Sequence, residues 1–153
     1  MDAERLRAYL LTFPHVIETV QWGANLVFWV GDKAIGGKMF AVLDLDEPAH
    51  PQSAAAGKRQ PVIAYAAGAE RFAELLELDG LIPAPYFARI HWVAALRWDV
   101  FSAVEWQREL SAAHELTLNK LPAKVRAALA LPAAKRKALI AGKRKLLAAK
   151  GKG

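Results

Sequence analysis

Three strand-like runs, separated by connections of only a few residues, most constrain the fold of this chain. VIETVQW alternates apolar and polar side chains over residues 16–22, and LVFWV at residues 26–30 is β-branched and aromatic. The segment AIGGKMFAVLDL at residues 34–45 is predicted to be the returning strand. Connections this short join antiparallel neighbours, whereas parallel strands need a long crossover. The sequence therefore predicts an antiparallel β meander.

Two other segments have helical patterns. Asp2 is a candidate N-cap for an amphipathic helix over residues 2–12, and Pro14 ends the pattern. Much further along, Ser102 is followed three residues later by a glutamate, which is the capping-box pattern. It predicts a helix that runs to about Lys120.

The middle of the chain contains a loop, a strand and a helix in turn. DEPAHPQSAAAGKRQP, at residues 46–61, has the proline, glycine, serine and charge of a mobile loop. PVIAYAA at residues 61–67 predicts a strand, and GAERFAELLELDG at residues 68–80 predicts a helix that ends at its last glycine.

Residues 85–98, PYFARIHWVAALRW, pose the question of whether an aromatic and basic stretch is a binding surface or core. We predict a strand over residues 90–98, because its side chains alternate with Trp92 and Trp98 on one face. Aromatic residues in strands are more often core than exposed. The interpretation is therefore mainly core, with Arg89 and His91 directed elsewhere.

The predicted order of elements, α-β-β-β-β-α-β-α, favours an α+β domain in which helices pack on one side of an antiparallel β meander. With 153 residues, of which 54% are hydrophobic, the chain can bury one core. The Gly36-Gly37 pair in the meander favours a bulge or turn over a phosphate-binding loop, because no helix is predicted to follow it.

Several classes of chemistry are excluded or left without support. The chain has no cysteine, which excludes disulfides, thiolate metal sites, iron–sulfur clusters and cysteine nucleophiles. No GxSxG, Walker or GxGxxG motif is present, so we predict a non-enzymatic protein without catalytic residues or cofactor. No metal site is predicted either. An enzyme or metal protein would need His15, His91 or His114 to converge with carboxylates in a concave site.

The net charge of +6 is unevenly distributed along the chain. Eleven of the 21 lysines and arginines lie at or after Lys120, and no acidic residue follows Glu115. Residues 1–119 hold ten basic and 15 acidic residues, a net charge of −5. The basicity therefore belongs to the C-terminal part, where KRK occurs at residues 135–137 and again at 143–145.

Lysine-rich blocks separated by alanine and leucine suit neutralisation of nucleic-acid phosphates. A solvated, solubilising end is the first alternative, and an acidic protein or a membrane surface is the second. On a helical wheel the apolar residues of the tail share their arc with basic ones, which disfavours a membrane-surface helix. No run of 18 apolar residues is present, and the charged start MDAERLR is unlike a signal peptide, so a cytoplasmic protein is expected.

Three segments, in the right order, resemble the MmcQ/YjbR family. They are WGANLVFWVGDKAIGGKMFAVLDLD with its Trp22-Gly23 pair, LIPAPYFARIHWV, and LTLNKLPAKVR. The resemblance runs from the first helix to about Arg126. It implies a small α+β domain of the CyaY-like, or double-wing, kind, in which two β-hairpin wings flank helices, and DNA binding is commonly attributed to the family.

The resemblance implies no enzymatic reaction and no catalytic residues. Frataxin-like proteins with this fold bind iron through acidic residues on a helix and a neighbouring strand. The first helix here carries only Asp2 and Glu4, which disfavours iron binding. Residues 1–126 have a net charge of −2, whereas residues 127–153 carry eight lysines and arginines beyond the resemblance.

The sequence thus predicts a YjbR-like domain over residues 1–126 and a lysine-rich tail, helical or disordered, over residues 127–153. The hypothesis is a DNA-binding protein with mainly electrostatic, sequence-independent affinity. The alternative is a protein-interaction or small-ligand module with a solubilising tail. The candidate nucleic-acid-binding residues are the basic side chains Lys33, Lys38, Arg89, His91, Lys120, Lys124, Arg126, Lys135, Arg136, Lys137, Lys143, Arg144 and Lys145.

Overall fold

A computed structural model describes residues 1–21, 24–44 and 61–151. Within these ranges lie six β-strands and five α-helices. The strands are β1 (Val16–Gln21), β2 (Asn25–Val30), β3 (Lys38–Asp44), β4 (Ile63–Ala66), β5 (Leu81–Pro83) and β6 (Trp92–Ala95). The helices are α1 (Ala3–Leu10), α2 (Ala69–Leu75), α3 (Ala103–Lys120), α4 (Ala123–Leu129) and α5 (Ala133–Gly151).

The strands form one antiparallel sheet in the order β1-β2-β3-β4-β6-β5, which confirms the predicted α+β class and the β meander. Because every neighbouring pair is antiparallel, β1, β3 and β6 begin at the same end of the sheet, where β2, β4 and β5 finish. We call this end of the sheet the upper end and the opposite one the lower end.

Local caps set the bounds of the two helices that the sequence predicted best. The Asp2 side chain accepts a hydrogen bond from the Arg5 amide at 2.8 Å and starts α1. At α3, Ser102 and Glu105 form both hydrogen bonds of a capping box, at 3.2 and 2.9 Å. Each cap pairs backbone groups that a helix end leaves unsatisfied, which confirms both predictions.

The core lies between the sheet and the helices. Its largest fully buried side chains include Phe28 and Phe40 of the sheet, Leu10 of α1 and Trp106 of α3. Trp106 is enclosed by three aromatic rings and donates its indole N–H to the Trp98 carbonyl at 2.8 Å. A fully buried indole is favourable here because its one donor is satisfied.

The predicted strand over residues 34–45 begins later than expected. Residues Lys33–Ile35 form a 3-10 turn capped by Asp32, and β3 starts only at Lys38. Gly36 adopts the left-handed conformation at φ 95°, and a side chain there would meet Val125. The glycine pair therefore makes a turn, as the structural interpretation predicted.

The prediction for residues 81–98 was partly wrong. Residues Leu81–Pro83, for which no strand was predicted, form β5, and β6 is limited to Trp92–Ala95 because a 3-10 turn begins at Trp98. All four residues of β6 are buried, and Trp98 lies outside this strand, so Trp92 and Trp98 do not share one face of a strand. Both tryptophans nevertheless pack against aromatic rings, Trp92 on Phe87 and Trp98 on Trp106, which confirms the interpretation as core.

The C-terminal part of the chain is helical. On α4, Val125 and Leu129 are buried and lie over the glycines of the turn after β2. The predicted boundary between residues 126 and 127 falls within α4, and the division into a domain and a tail stays a prediction. The loop predicted over residues 46–61 lies outside the described residues up to residue 60, and so does the Trp22-Gly23 pair.

Candidate nucleic-acid interface

Four of the predicted nucleic-acid-binding residues lie at the upper end of the sheet. Lys33 is in the 3-10 turn after β2, Lys38 opens β3, and Arg89 and His91 directly precede β6. All four side chains are exposed. Because only β4 separates β3 from β6, these two strands are about 10 Å apart across the sheet. The fold thus brings these residues, distant in sequence, to one end of the molecule.

The C-terminal helices place the remaining predicted residues next to this end. Lys120 ends α3, Lys124 and Arg126 are exposed on α4, and α5 packs against the 3-10 turn that contains Lys33. Among the described helices none is both long and apolar enough to cross a bilayer, α5 included.

One side of α5 is held against the rest of the chain. Arg136, Leu139 and Ile140 are half-buried, Lys143 borders a groove beside α4, and Arg144 pairs with Asp32. These positions are spaced three or four residues apart and so share one side of the helix. Of the basic residues that the sequence placed on the apolar arc of the wheel, Arg136 has partners within the chain.

Arg136 and Arg144 are therefore engaged within the chain. Nη1 of Arg136 donates to the carbonyls of Leu129 and Leu131, at 3.2 and 3.1 Å, near the C-terminal end of α4. A guanidinium placed there satisfies carbonyls that the helix leaves unpaired. Arg144 donates to the carboxylate of Asp32, whose other oxygen accepts the Ala34 amide at 2.9 Å.

The opposite side of α5 presents Lys135, Lys137 and Lys145 to solvent. At 100° per residue, these three lysines lie roughly 100–180° from Arg136, with alanines and Gly142 between them. None of the ion pairs within the described ranges involves them. We call these three residues the outer lysines.

Acidic side chains gather at the lower end of the sheet. Glu74 and Glu77 stand at the end of α2, Asp79 precedes β5, Asp99 follows β6, and Glu105 lies in the first turn of α3. Arg97 lies here as well and contacts Asp79 at 3.1 Å and Asp99 at 2.6 Å. The described part of the molecule is thus polarised between a basic upper end and an acidic lower end.

A buried carboxylate, which sequence reasoning missed, lies in a cleft of about 400 Å³ beside α2 and α3. Glu109 is 7% exposed, and its two oxygens accept hydrogen bonds from the Tyr65 hydroxyl at 2.8 Å and from Arg71 at 2.7 Å. Burial, with the nearby Glu109 charge, raises the pKa of Tyr65. Both carboxylate oxygens are satisfied, so this network ties β4, α2 and α3 together.

The three described histidines, His15, His91 and His114, do not form a common site. His114 lies 2.9 Å from the Pro14 carbonyl and packs against Phe13 and Phe40, whereas His91 packs against Phe72. Burial, together with the charges of Arg136 and His114, lowers the pKa of His15. Across residues 1–21, 24–44 and 61–151, no three histidine, aspartate or glutamate side chains are placed to hold a metal ion.

The comparisons with known proteins agree with the architecture described above. A family model described as YjbR matches residues 11–116. Deinococcus radiodurans protein DR2400, whose crystal structure contains a domain described as DUF419, is 22% identical, with a TM-score of 0.67 over 86% of this chain and 89% of that one. At this identity the likeness shows a shared fold. No curated protein matches the chain.

Proposed function

The chain belongs to the YjbR family, and on this premise we propose that it is a non-enzymatic DNA-binding protein whose affinity is mainly electrostatic and independent of base sequence. Helix α5 supplies most of that affinity in this proposal. Residues at the upper end of the sheet, among them Lys33 and Lys38, contact neighbouring phosphates and orient the domain on the duplex.

The observation that carries the proposal is the charge of α5. The helix spans Ala133–Gly151 and bears seven lysines and arginines without a single acidic residue. At 1.5 Å per residue, a helix of this length reaches about 28 Å. The outer lysines lie along its solvent side, where each can neutralise a phosphate and release a condensed counterion.

The distribution of the other charges also supports the proposal. Glu74, Glu77 and the acidic residues of the turns beside β5 and β6 are at the lower end of the sheet, away from α5, whereas Glu70 lies at the start of α2, at the upper end. A duplex approaching the upper end therefore meets basic side chains and avoids most carboxylates. Steering of this kind raises association rates and weakens with added salt.

The test is a salt series of DNA binding by the full chain, measured by fluorescence anisotropy with a labelled duplex of arbitrary sequence. The variant Lys135→Ala/Lys145→Ala removes two charges from the solvent side of α5. Because each phosphate contact contributes about 0.9 to the slope of log K against log salt, we expect the slope to fall by about 1.8.

The matched control is Arg5→Ala/Arg108→Ala, which changes the net charge by the same amount at two exposed positions outside α5. We expect its slope to remain close to that of the unmodified chain. Equal losses in both variants would assign the affinity to net charge alone. No binding by the full chain at physiological salt would remove the nucleic-acid proposal and leave an acidic protein or a small ligand as the partner.

A further inference from the structure

A groove of about 470 Å³ opens between the 3-10 turn after β2, α4 and α5. The groove lies on the side of α5 that faces α4 and the 3-10 turn, away from the outer lysines. Six apolar residues and two lysines line it: Ala34, Ile35, Ala127, Ala128, Leu131, Leu139, Lys124 and Lys143.

Helix α4 forms one wall of the groove. Two adjacent sides of this helix make different contacts, one with the turn after β2 and the other with the groove. Val125 and Leu129, four residues apart, are buried over the glycines of the turn. Lys124 and the alanines at positions 127 and 128 follow the i, i+3, i+4 spacing of a second side, which faces the groove, and Leu131 follows just after the helix. The two alanines leave a hollow where larger side chains would fill the space.

The charges around the hollow are of one sign. Lys124 of α4 and Lys143 of α5 are exposed and border the groove from its two helices. No acidic side chain is among the lining residues, and the nearest carboxylate of the turn, Asp32, is paired with Arg144. Because both ammonium groups stand at the rim of an apolar groove, an anionic head group would gain charge-assisted hydrogen bonds there that a neutral or cationic one would lack.

We propose that this groove binds a single-chain anionic amphiphile, of the chemical class of a fatty acid. The carboxylate pairs with Lys124 and Lys143, and the alkyl chain lies on the alanine, leucine and isoleucine side chains. The volume is within the range of small-molecule sites, about 300–1,000 Å³. This inference is independent of DNA binding, because it concerns the opposite side of α5.

The experiment measures binding of decanoate, octanoate and decyltrimethylammonium to the full chain by calorimetry, all below their micellar concentrations. Because each buried methylene contributes about fourfold in affinity, decanoate, with two more methylenes, is expected to bind roughly fifteenfold more tightly than octanoate. The cationic amphiphile is expected to bind at least tenfold more weakly than decanoate. Equal binding of the two ten-carbon chains would overturn the proposal.

Two variants locate the site. Ala128→Phe fills the hollow and is expected to abolish decanoate binding, and Ala127→Leu serves the same purpose if the first variant unfolds. Lys124→Ala/Lys143→Ala is expected to weaken decanoate binding at least tenfold, whereas the control Lys135→Ala/Lys145→Ala, with the same loss of charge, leaves it unchanged. Undiminished binding by a folded groove-filling variant, or equal losses in the two lysine variants, would overturn the proposal.

Discussion

The Arg144 guanidinium of α5 pairs with the Asp32 carboxylate, which caps the turn after β2, across 112 residues of chain. Asp32 is 6% exposed, so without Arg144 this carboxylate would be left largely desolvated and unpaired. The contact makes Arg144 a residue that holds α5 in place, although the sequence presents it as one cation in a KRK block like any other.

Removing the Arg144 side chain is expected to destabilise the protein only when residue 32 carries a charged carboxylate. Because the Arg144 side chain is largely exposed, Arg144→Ala should lower the free energy of unfolding by about 1 kcal/mol. In an Asp32→Asn background, which retains an oxygen for the cap, the same substitution should cost almost nothing. Urea denaturation of the four proteins of this double-mutant cycle measures the difference, and additive effects would contradict the pairing.

Loss of the Glu109 carboxylate is expected to be more costly. Glu109→Ala leaves a buried tyrosine hydroxyl and the Arg71 guanidinium without their acceptor, so the free energy of unfolding should fall by about 3 kcal/mol. Tyr65→Phe removes one donor and keeps the ion pair, and should cost about 1 kcal/mol. Thermal and urea unfolding, monitored by circular dichroism, rank the two variants by their loss of unfolding free energy. A larger loss for Tyr65→Phe would show that the carboxylate does not organise this network.

Glycine substitutions distinguish a turn that needs glycine from a helix that does not. At Gly37 an added Cβ would lie 1.9 Å from the Gly31 carbonyl oxygen, so Gly37→Ala should cost 3 kcal/mol or more, roughly the scale of severe substitutions. At Gly142, in the middle of α5, an added Cβ would meet no described atom within 4 Å beyond its chain neighbours and its own helix backbone, and Gly142→Ala should stabilise that helix by up to about 1 kcal/mol. Equal changes in the free energy of unfolding of the two variants, measured by urea denaturation, would contradict the packing of the turn.

The elements predicted correctly from sequence are those specified by neighbouring residues. Asp2 and Ser102 start their helices by accepting a hydrogen bond from the backbone amide three residues later. The meander follows from short connections between β-branched runs. The strand over residues 90–98 was predicted too long because alternation of side chains continues past Ala95, where the hydrogen-bonded ladder stops. The three-residue strand β5 contains a proline, which in a sequence favours a connection.

The contacts missing from the sequence analysis join residues far apart in the chain. Nothing local to Asp32 indicates Arg144, and Glu109 looks like one more solvated acid of an amphipathic helix until Tyr65 and Arg71 are brought beside it. The thirteen candidate basic residues were selected by charge alone. Only the packing of α5 separates the outer lysines from the arginines that have partners within the chain.

His15 is expected to make stability depend on pH. Burial lowers its pKa in the folded state, as do the charges of Arg136 and His114, so the unfolded chain binds the proton more readily. The free energy of unfolding should therefore be at its full value above pH 6.5, the ordinary pKa of histidine, and fall as the pH drops below it.

The variant His15→Asn tests this dependence, because asparagine tolerates the left-handed backbone that His15 adopts at φ 65°. The unfolding free energy of the variant, measured by urea titration between about pH 7 and pH 5, should decline less than that of the unmodified chain. Arg136→Ala, which removes one cause of the lowered pKa, should also reduce the decline. An identical decline in all three proteins would mean that other groups account for it.

Freeing Arg144 from its partner is expected to strengthen DNA binding. Asp32→Asn removes the carboxylate that competes with phosphate for this guanidinium, so the slope of log K against log salt should steepen by up to about 0.9. Asp79→Asn is the matched control, since it makes the same change in net charge at the acidic lower end of the sheet. If the charge of α5 governs binding, anisotropy titrations will show a gain for Asp32→Asn and almost none for Asp79→Asn. A similar gain in both would show that DNA responds to the total charge of the molecule, whichever end carries it.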